Sequence, residues 1–351
     1  MTGSASPTGS TSPHSIGVLV MAHGTPDTPE EIEPFYTSIR RGRPPPPELL
    51  ADLVRRYDAL GGTSPLAERT RRQVEGLAAA LEDAAPGVYT VVYGAKHTSP
   101  RIEDGVAALI DQHVDQIIGL VLTPHQSSLG SGEYLRRAAE AAEVAEVAEV
   151  AEAAGAPTPP TDFVGIPSWH RAPGLADLLA ARTAAALDSL TSAQRRKTAV
   201  FFTAHSLPEK AVVDGDPYPD QVHQSASDIA VLLGFDPADD TAEVGDTATG
   251  TGPEWGVAWQ SPGRTTDPWM GPDLLSEIRR AAADGATSVV VCPVGFVSDH
   301  LEILYDLDIE AAEVARSVGL AFTRTASLND DPEFLQVLAD VVRAATPSST
   351  T

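Results

Sequence analysis

The chain has a single cysteine in 351 residues, no apolar run of membrane-spanning length, and 24 Lys and Arg against 49 Asp and Glu. Each shortage closes a class of function. Cys292 alone makes no intramolecular disulfide and cannot supply the several thiolates of an iron–sulfur cluster; inside an apolar run it reads as a small core residue. The N-terminal MTGSASPTGSTSPHS lacks both a basic start and an apolar core, so neither signal peptide nor membrane anchor is expected, and a cytoplasmic protein is. A net charge of −25 argues against a general nucleic-acid binder, because phosphate contacts need a basic face and the dense basic groups are confined to stretches near residues 40 and 70.

What is present is a repeat. Val18 to Pro26, VLVMAHGTP, and Thr198 to Pro208, TAVFFTAHSLP, are each an apolar strand running into Ala-His, with a Pro three residues after the His. Further on in each half, Ile117 to Ser127 and Ser288 to Ser298 are apolar runs ending in Pro and small polar residues. The pattern predicts two similar α/β domains with parallel sheets, facing one cleft, with His23 and His205 at matching strand ends where open α/β sheets bind ligands. The predicted divisions are a disordered 1–15, a first domain over 16–137, an Ala/Glu-rich helical extension and linker over 138–160, and a second domain over 161–346 opened by a strand at 162–166. The last helix is expected to pack back on the first domain.

Three arginines, Arg40, Arg41 and Arg43, stand at a helix end and on a Pro-rich turn, where guanidinium groups could serve the helix dipole or form a fork for carboxylates. Trp259 and Trp269 flank a Gly/Pro loop, as core residues or as walls for a flat ligand. The segment SDHLEILYDLDIEAAEVARSVG predicts a helix with Leu304, Leu307, Ala311, Val314 and Val318 on its buried stripe. On another face Glu302, Asp306 and Glu310 recur every four residues. Like charges so spaced weaken a helix, which points to a cation, although Asp299 and Glu302 also have the spacing of a capping box.

Taken in order, GTP at 24–26, IRRGR at 39–43, GGTSPL at 61–66, KH at 96–97, TAHSLP, GDPYPDQ at 215–221, WQS at 259–261, DPWMGP at 267–272 and PVGFVSDHLEILYD at 293–306 resemble the ferrochelatase family, and most closely its soluble bacterial members acting on coproporphyrin III. The resemblance runs from about Gly17 to the C-terminal helix. It implies two Rossmann-like domains around a porphyrin cleft, with His205 and Glu302 as the essential pair where pyrrole protons leave and Fe²⁺ enters. It also implies an outer divalent-cation site at Asp306 and Glu310 with Arg56 beside it, open to Mg²⁺, and porphyrin contacts from Arg40, Arg41, Arg43, Ser64, His97, Tyr134 and Trp259. Close relatives carry Tyr where this chain has His23, so a nitrogen axial ligand to the product iron is expected. The implied substrates are coproporphyrin III and Fe²⁺, with no organic cofactor, no iron–sulfur cluster, no nucleic acid, no stable membrane attachment, a transient contact with the next haem-pathway enzyme, and a monomeric state.

Other readings stay open at this level. They are a protoporphyrin IX chelatase, a cobalt or nickel chelatase for a reduced tetrapyrrole such as sirohydrochlorin, and a non-catalytic haem carrier using His23. The soluble, cationic RRGRPPPP lip favours a four-carboxylate porphyrin, and the presence of both His205 and Glu302 favours catalysis.

Overall fold

A computed structural model describes residues 15–152, 161–235, 253–264 and 267–347. Of the expected disorder over 1–15 all but Ser15, and with it the Pro-rich linker and most of the acidic 236–254 loop, lie outside the described residues. Two four-stranded parallel sheets carry the fold. The first contains β1 (Ile16–Ala22), β2 (Tyr89–Ala95), β3 (Gln116–Val121) and β4 (Asp162–Ile166), in the order β2-β1-β3-β4. The second contains β5 (Thr198–His205), β6 (Glu254–Gln260), β7 (Ser288–Cys292) and β8 (Ala321–Arg324), in the order β6-β5-β7-β8. The two orders are the same permutation. β1 and β5 are the central strands, buried on both faces, which is why both read as unbroken apolar runs.

One expectation is corrected. The strand at 162–166 pairs in parallel with β3, from Gln116 opposite Asp162 to Leu120 opposite Ile166, and therefore closes the first sheet instead of opening the second. A parallel neighbour requires a crossover, and the Ala/Glu-rich helix Ser131–Glu152 supplies it. It is consequently not a solvated extension along its first turns: Ala138 and Ala142 are buried against the core that contains Met21 and Ile117.

The halves share one core. It runs from Val18, Val20, Ile118 and Leu120 of the first sheet to Val200, Phe202 and Val290 of the second, with Phe334, Leu335, Leu338 and Val342 of the C-terminal helix Pro332–Ala345 included in it. Asp331 starts that helix by accepting a hydrogen bond from the Glu333 amide at 2.9 Å. Leu335 lies where a side chain on Gly76 would stand, in the helix Leu66–Ala84 of the first half, and the Tyr89 hydroxyl is 3.0 Å from Thr346 Oγ1.

Leu338 is fully buried in this shared core. Leu338→Ala is expected to cost about 2–5 kcal/mol in denaturant unfolding, the range for truncating a packed leucine. Leu232→Ala, at a half-exposed position, should stay within about 0.5 kcal/mol of the parent.

Candidate active site

Both Ala-His pairs end at one cavity of about 890 Å³ between the sheets. Gly24, at φ +82°, turns the chain immediately after His23, a conformation that suits a residue without Cβ. His23 Nδ1 donates to the Gly24 carbonyl at 3.2 Å, and His205 Nδ1 donates to the Ser206 carbonyl at 2.5 Å. A carbonyl only accepts, so Nδ1 holds a hydrogen in both rings, and in its neutral form each imidazole has its lone pair on Nε2. Packing around the ring lowers the His23 pKa against the opposing pull of the Glu302 charge, and the residue remains exposed to the cavity.

Glu302 stands between two imidazoles. Its Oε1 is 3.7 Å from His205 Nε2 and its Oε2 is 3.6 Å from His300 Nε2. Burial raises the Glu302 pKa, but His205, His300 and His23 together bring it down to about 2. His300 donates from Nδ1 to the Ser298 carbonyl at 2.9 Å; burial lowers its pKa, and Glu302 more than reverses this. His300 was not among the sequence-derived candidates. The signal for it was its position two residues before Glu302, in the turn after β7.

The ladder helix is not uniform. Leu301–Leu304 and Ala312–Ser317 are α-helical, and Asp306–Ala311 between them is a π turn, in which the Glu310 amide donates to the Tyr305 carbonyl at 2.9 Å. A π turn rotates less per residue than an α turn, so it offsets the drift of an every-fourth-residue row. Glu302, Asp306 and Glu310 all line the cavity. Asp306 is raised to about 6 by burial and then by the Glu302 charge. Its Oδ1 accepts from Arg56 Nη1 at 2.9 Å and its Oδ2 from Ser261 Oγ at 2.5 Å.

One metal-site expectation changes with this geometry. Arg56, expected in the outer cation site, is a charge partner of Asp306, because a guanidinium has donors and no lone pair for a metal. Among the described residues, no three His, Cys, Asp or Glu side chains gather closely enough to hold a metal ion, and the expected outer site at Asp306 and Glu310 offers two carboxylates.

Ser64 and Tyr134 line the cavity, and Lys96 Nζ lies 4.9 Å from the Tyr134 ring centroid while paired to Glu133 at 2.8 Å. The other expected porphyrin contacts stand outside the wall. His97 sits behind His23, ring centroids 4.7 Å apart, with its Nδ1 3.1 Å from Ser38 Oγ. Trp259 is buried on β6 against Tyr218 at 5.8 Å, on the core side set by strand alternation, whereas Trp269 lines the cavity 6.2 Å from His205. Arg40, Arg41 and Arg43 occupy the turn after the helix Ile32–Ile39, whose Tyr36 and Ile39 do line the cavity; the arginines are therefore at its rim.

The family model described as "Ferrochelatase" matches residues 15–346. "Ferrochelatase" of Thermus thermophilus is 40% identical over 95% of this chain and 100% of that protein. "Coproporphyrin III ferrochelatase 1" of Bacillus cereus is 39% identical over 93% of this chain and 96% of that protein. Among solved structures, "SirB from Bacillus subtilis with Fe3+" superposes with a TM-score of 0.53 at 11% identity, covering 94% of this chain and 95% of that one, a likeness of fold.

His125 lines the same cavity, almost fully buried, with Nε2 2.9 Å from Ser225 Oγ; burial, then the neighbouring His170, lowers its pKa to about 3. A histidine lowered in the folded state favours folding above its unfolded value near 6.5, and that contribution falls away as the pH drops toward the folded value. Stability should therefore decrease on acidification from about pH 7 toward 4. Denaturant unfolding across this range should show a shallower decrease for His125→Asn, by up to one proton's linkage, about 1.4 kcal/mol per pH unit.

Proposed function

The chain belongs to the ferrochelatase family and takes ferrous iron and a porphyrin as substrates, and from that premise we propose that the porphyrin is coproporphyrin III and the product coprohaem, formed on a route to haem b. The observation that carries the mechanism is Glu302 set between His205 and His300 at the cavity surface. Insertion exchanges two pyrrole N–H bonds for bonds to iron and releases two protons. The free Nε2 of His205 accepts a proton from the macrocycle, and the imidazolium so formed is stabilised by the Glu302 carboxylate. Glu302, held far below the ordinary carboxylate range, stays anionic and draws the dication inward, while the second pyrrole proton leaves to water at the cavity mouth.

On the opposite wall, His23, with Nδ1 engaged by the Gly24 carbonyl, presents Nε2 as an axial ligand to the product iron, with imidazole well suited to ferrous and ferric iron alike. The substrate choice is supported by the rim. Arg40 keeps a buried Nε without a hydrogen-bond partner, its guanidinium lies 6.0 Å from the Tyr36 ring centroid, and Arg41 and Arg43 stand exposed beside it. Such a cluster suits the carboxylates of a four-propionate macrocycle. The name of the Bacillus cereus relative agrees with this reading.

In anaerobic Fe²⁺ insertion followed by loss of the free-porphyrin spectrum, coproporphyrin III should turn over faster than protoporphyrin IX; equal or faster protoporphyrin turnover would reject the rim as a carboxylate reader. His205→Ala and Glu302→Gln should each lower kcat by about 10²-fold or more while porphyrin still binds. His23→Ala should leave the chain able to bind the ferric product but shift its absorption spectrum. An unchanged spectrum would remove His23 as the ligand.

A further inference from the structure

The turn that leads into His300 and Glu302 is tied from behind by one residue. Asn329, in the loop between β8 and the C-terminal helix, engages all four of its polar groups in hydrogen bonds. Its main-chain N–H donates to the Val297 carbonyl at 2.8 Å, its Oδ1 accepts from the Asp299 amide at 2.9 Å, and its Nδ2 donates to Asp299 Oδ2 at 2.9 Å. Its own carbonyl accepts from Gln73 Nε2, on the helix Leu66–Ala84 of the first half, at 2.8 Å. Three bonds therefore hold the turn, and the fourth reaches the other half of the molecule. Asn329 stands at φ +48°, in the left-handed region that asparagine enters more readily than most residues.

Between the two clamped residues lies Ser298, whose carbonyl accepts the His300 Nδ1–H at 2.9 Å. The direction of that carbonyl sets the direction of the ring, whose Nε2 faces Glu302 Oε2 at 3.6 Å. Asp299 is pinned on its other oxygen as well: Oδ1 accepts from Ser327 Oγ at 2.8 Å and from Arg324 Nη2 at 3.2 Å. Burial pushes the Asp299 carboxyl up, and the bonds from Asn329 and Ser327 with the Arg324 charge bring it below its usual range, so it accepts as an anion. Val297, Ser298, His300 and Glu302 line the cavity, whereas Asp299 and Asn329 stand behind that wall. Any effect of Asn329 on turnover is therefore relayed by the turn.

We propose that Asn329 is a positioning residue for the Glu302–His300 pair: through Val297 and Asp299 it fixes the Ser298 carbonyl, and through that carbonyl the orientation of the His300 ring toward Glu302. The bond to Gln73, which lines the cavity, sets the same turn against the wall contributed by the first half. Asparagine suits the position because it offers one acceptor and one donor on a short stem. A carboxylate there would face Asp299 with a like charge, and an apolar side chain would take from the Asp299 amide and Oδ2 the partner each has now. That the pair so held serves iron insertion rests on the functional reading above; the hold on His300 does not.

The test compares Asn329→Asp with the exchanged pair Asn329→Asp/Asp299→Asn in the full chain. The single substitution sets two carboxylates against each other; the exchange restores an amide opposite a carboxylate and keeps an acceptor for the main-chain N–H of residue 299. In Fe²⁺ insertion Asn329→Asp should lower kcat by about 10- to 100-fold, the scale for a lost orienting partner, with the porphyrin KM little changed, and the exchanged pair should recover most of that loss. Asn329→Gly, which keeps the left-handed backbone open and lacks both side-chain bonds, should behave as Asn329→Asp does. The ring is read directly by NMR: the His300 Nδ1–H resonance, identified by its absence in His300→Asn, should exchange slowly in the parent, be lost in Asn329→Asp and Asn329→Gly, and return in the exchanged pair. Arg69→Ala removes the 2.9 Å ion pair to Asp330 between the same helix and the same loop, and should leave kcat and the resonance as in the parent. An unchanged resonance in both single variants, a fall in kcat that Arg69→Ala reproduces, or a folded exchanged pair as impaired as Asn329→Asp would overturn the assignment; where the exchanged pair does not fold, Asn329→Gly decides by the same two readouts. Loss of the resonance in Asn329→Asp while Glu302→Gln turns over normally would support the hold on His300 and reject the functional reading alone.

Discussion

A carboxylate kept anionic between two imidazoles is the constraint around which this structure is arranged. Desolvation alone would favour protonating Glu302; His205 and His300, 3.7 and 3.6 Å from its two oxygens, favour the anion. That arrangement needs rings that cannot turn away, and each is fixed by the same device, an Nδ1–H donated to a nearby main-chain carbonyl. The negative charge in turn pushes up the next rung, Asp306, and that rung is held by Arg56 and Ser261. Sheet topology, ring tautomer and the arginine bridge all act on one anionic row.

The duplicated strand order accounts for the chemistry of the cleft more economically than its fold alone would suggest. β1 and β5 hold equivalent places in their sheets; β1 runs directly into His23 and β5 ends on His205, and each ring's Nδ1 donates to the next residue's carbonyl. The two halves thereby supply two lone-pair nitrogens of the same tautomer. They diverge in surroundings: His205 has Glu302 beside it, and His23 is backed by His97 and Phe35. One repeat thus yields a nitrogen next to a carboxylate and a nitrogen in a largely aromatic setting.

Much of this was legible in the chain. The apolar strands, the paired Ala-His motif and the row Glu302, Asp306, Glu310 are local patterns, and period and spacing specify them. What was not legible depends on partners distant in sequence. Nothing in DFVGI says which sheet it joins, so β4 was assigned to the wrong half. Trp259 and Trp269 look alike beside the same loop, and only the folded chain sets Trp259 on the core side of β6 and Trp269 on the loop that reaches the cavity. The π turn was hidden because its residues satisfy an α-helical pattern, and the pairing of Arg56 with Asp306 requires a helix from the other half.

The C-terminal helix carries a consequence for the order in which the molecule can be completed. Pro332–Ala345 packs on the helix Leu66–Ala84 and joins the core that also contains Leu77 and Leu81. During ribosomal synthesis those residues emerge some 250 positions ahead of the segment that covers them. The first half must therefore wait, with an apolar stripe open to water, until the helix Pro332–Ala345 has been made. That interval is the window in which a chaperone would engage the nascent chain and in which a truncated one would aggregate.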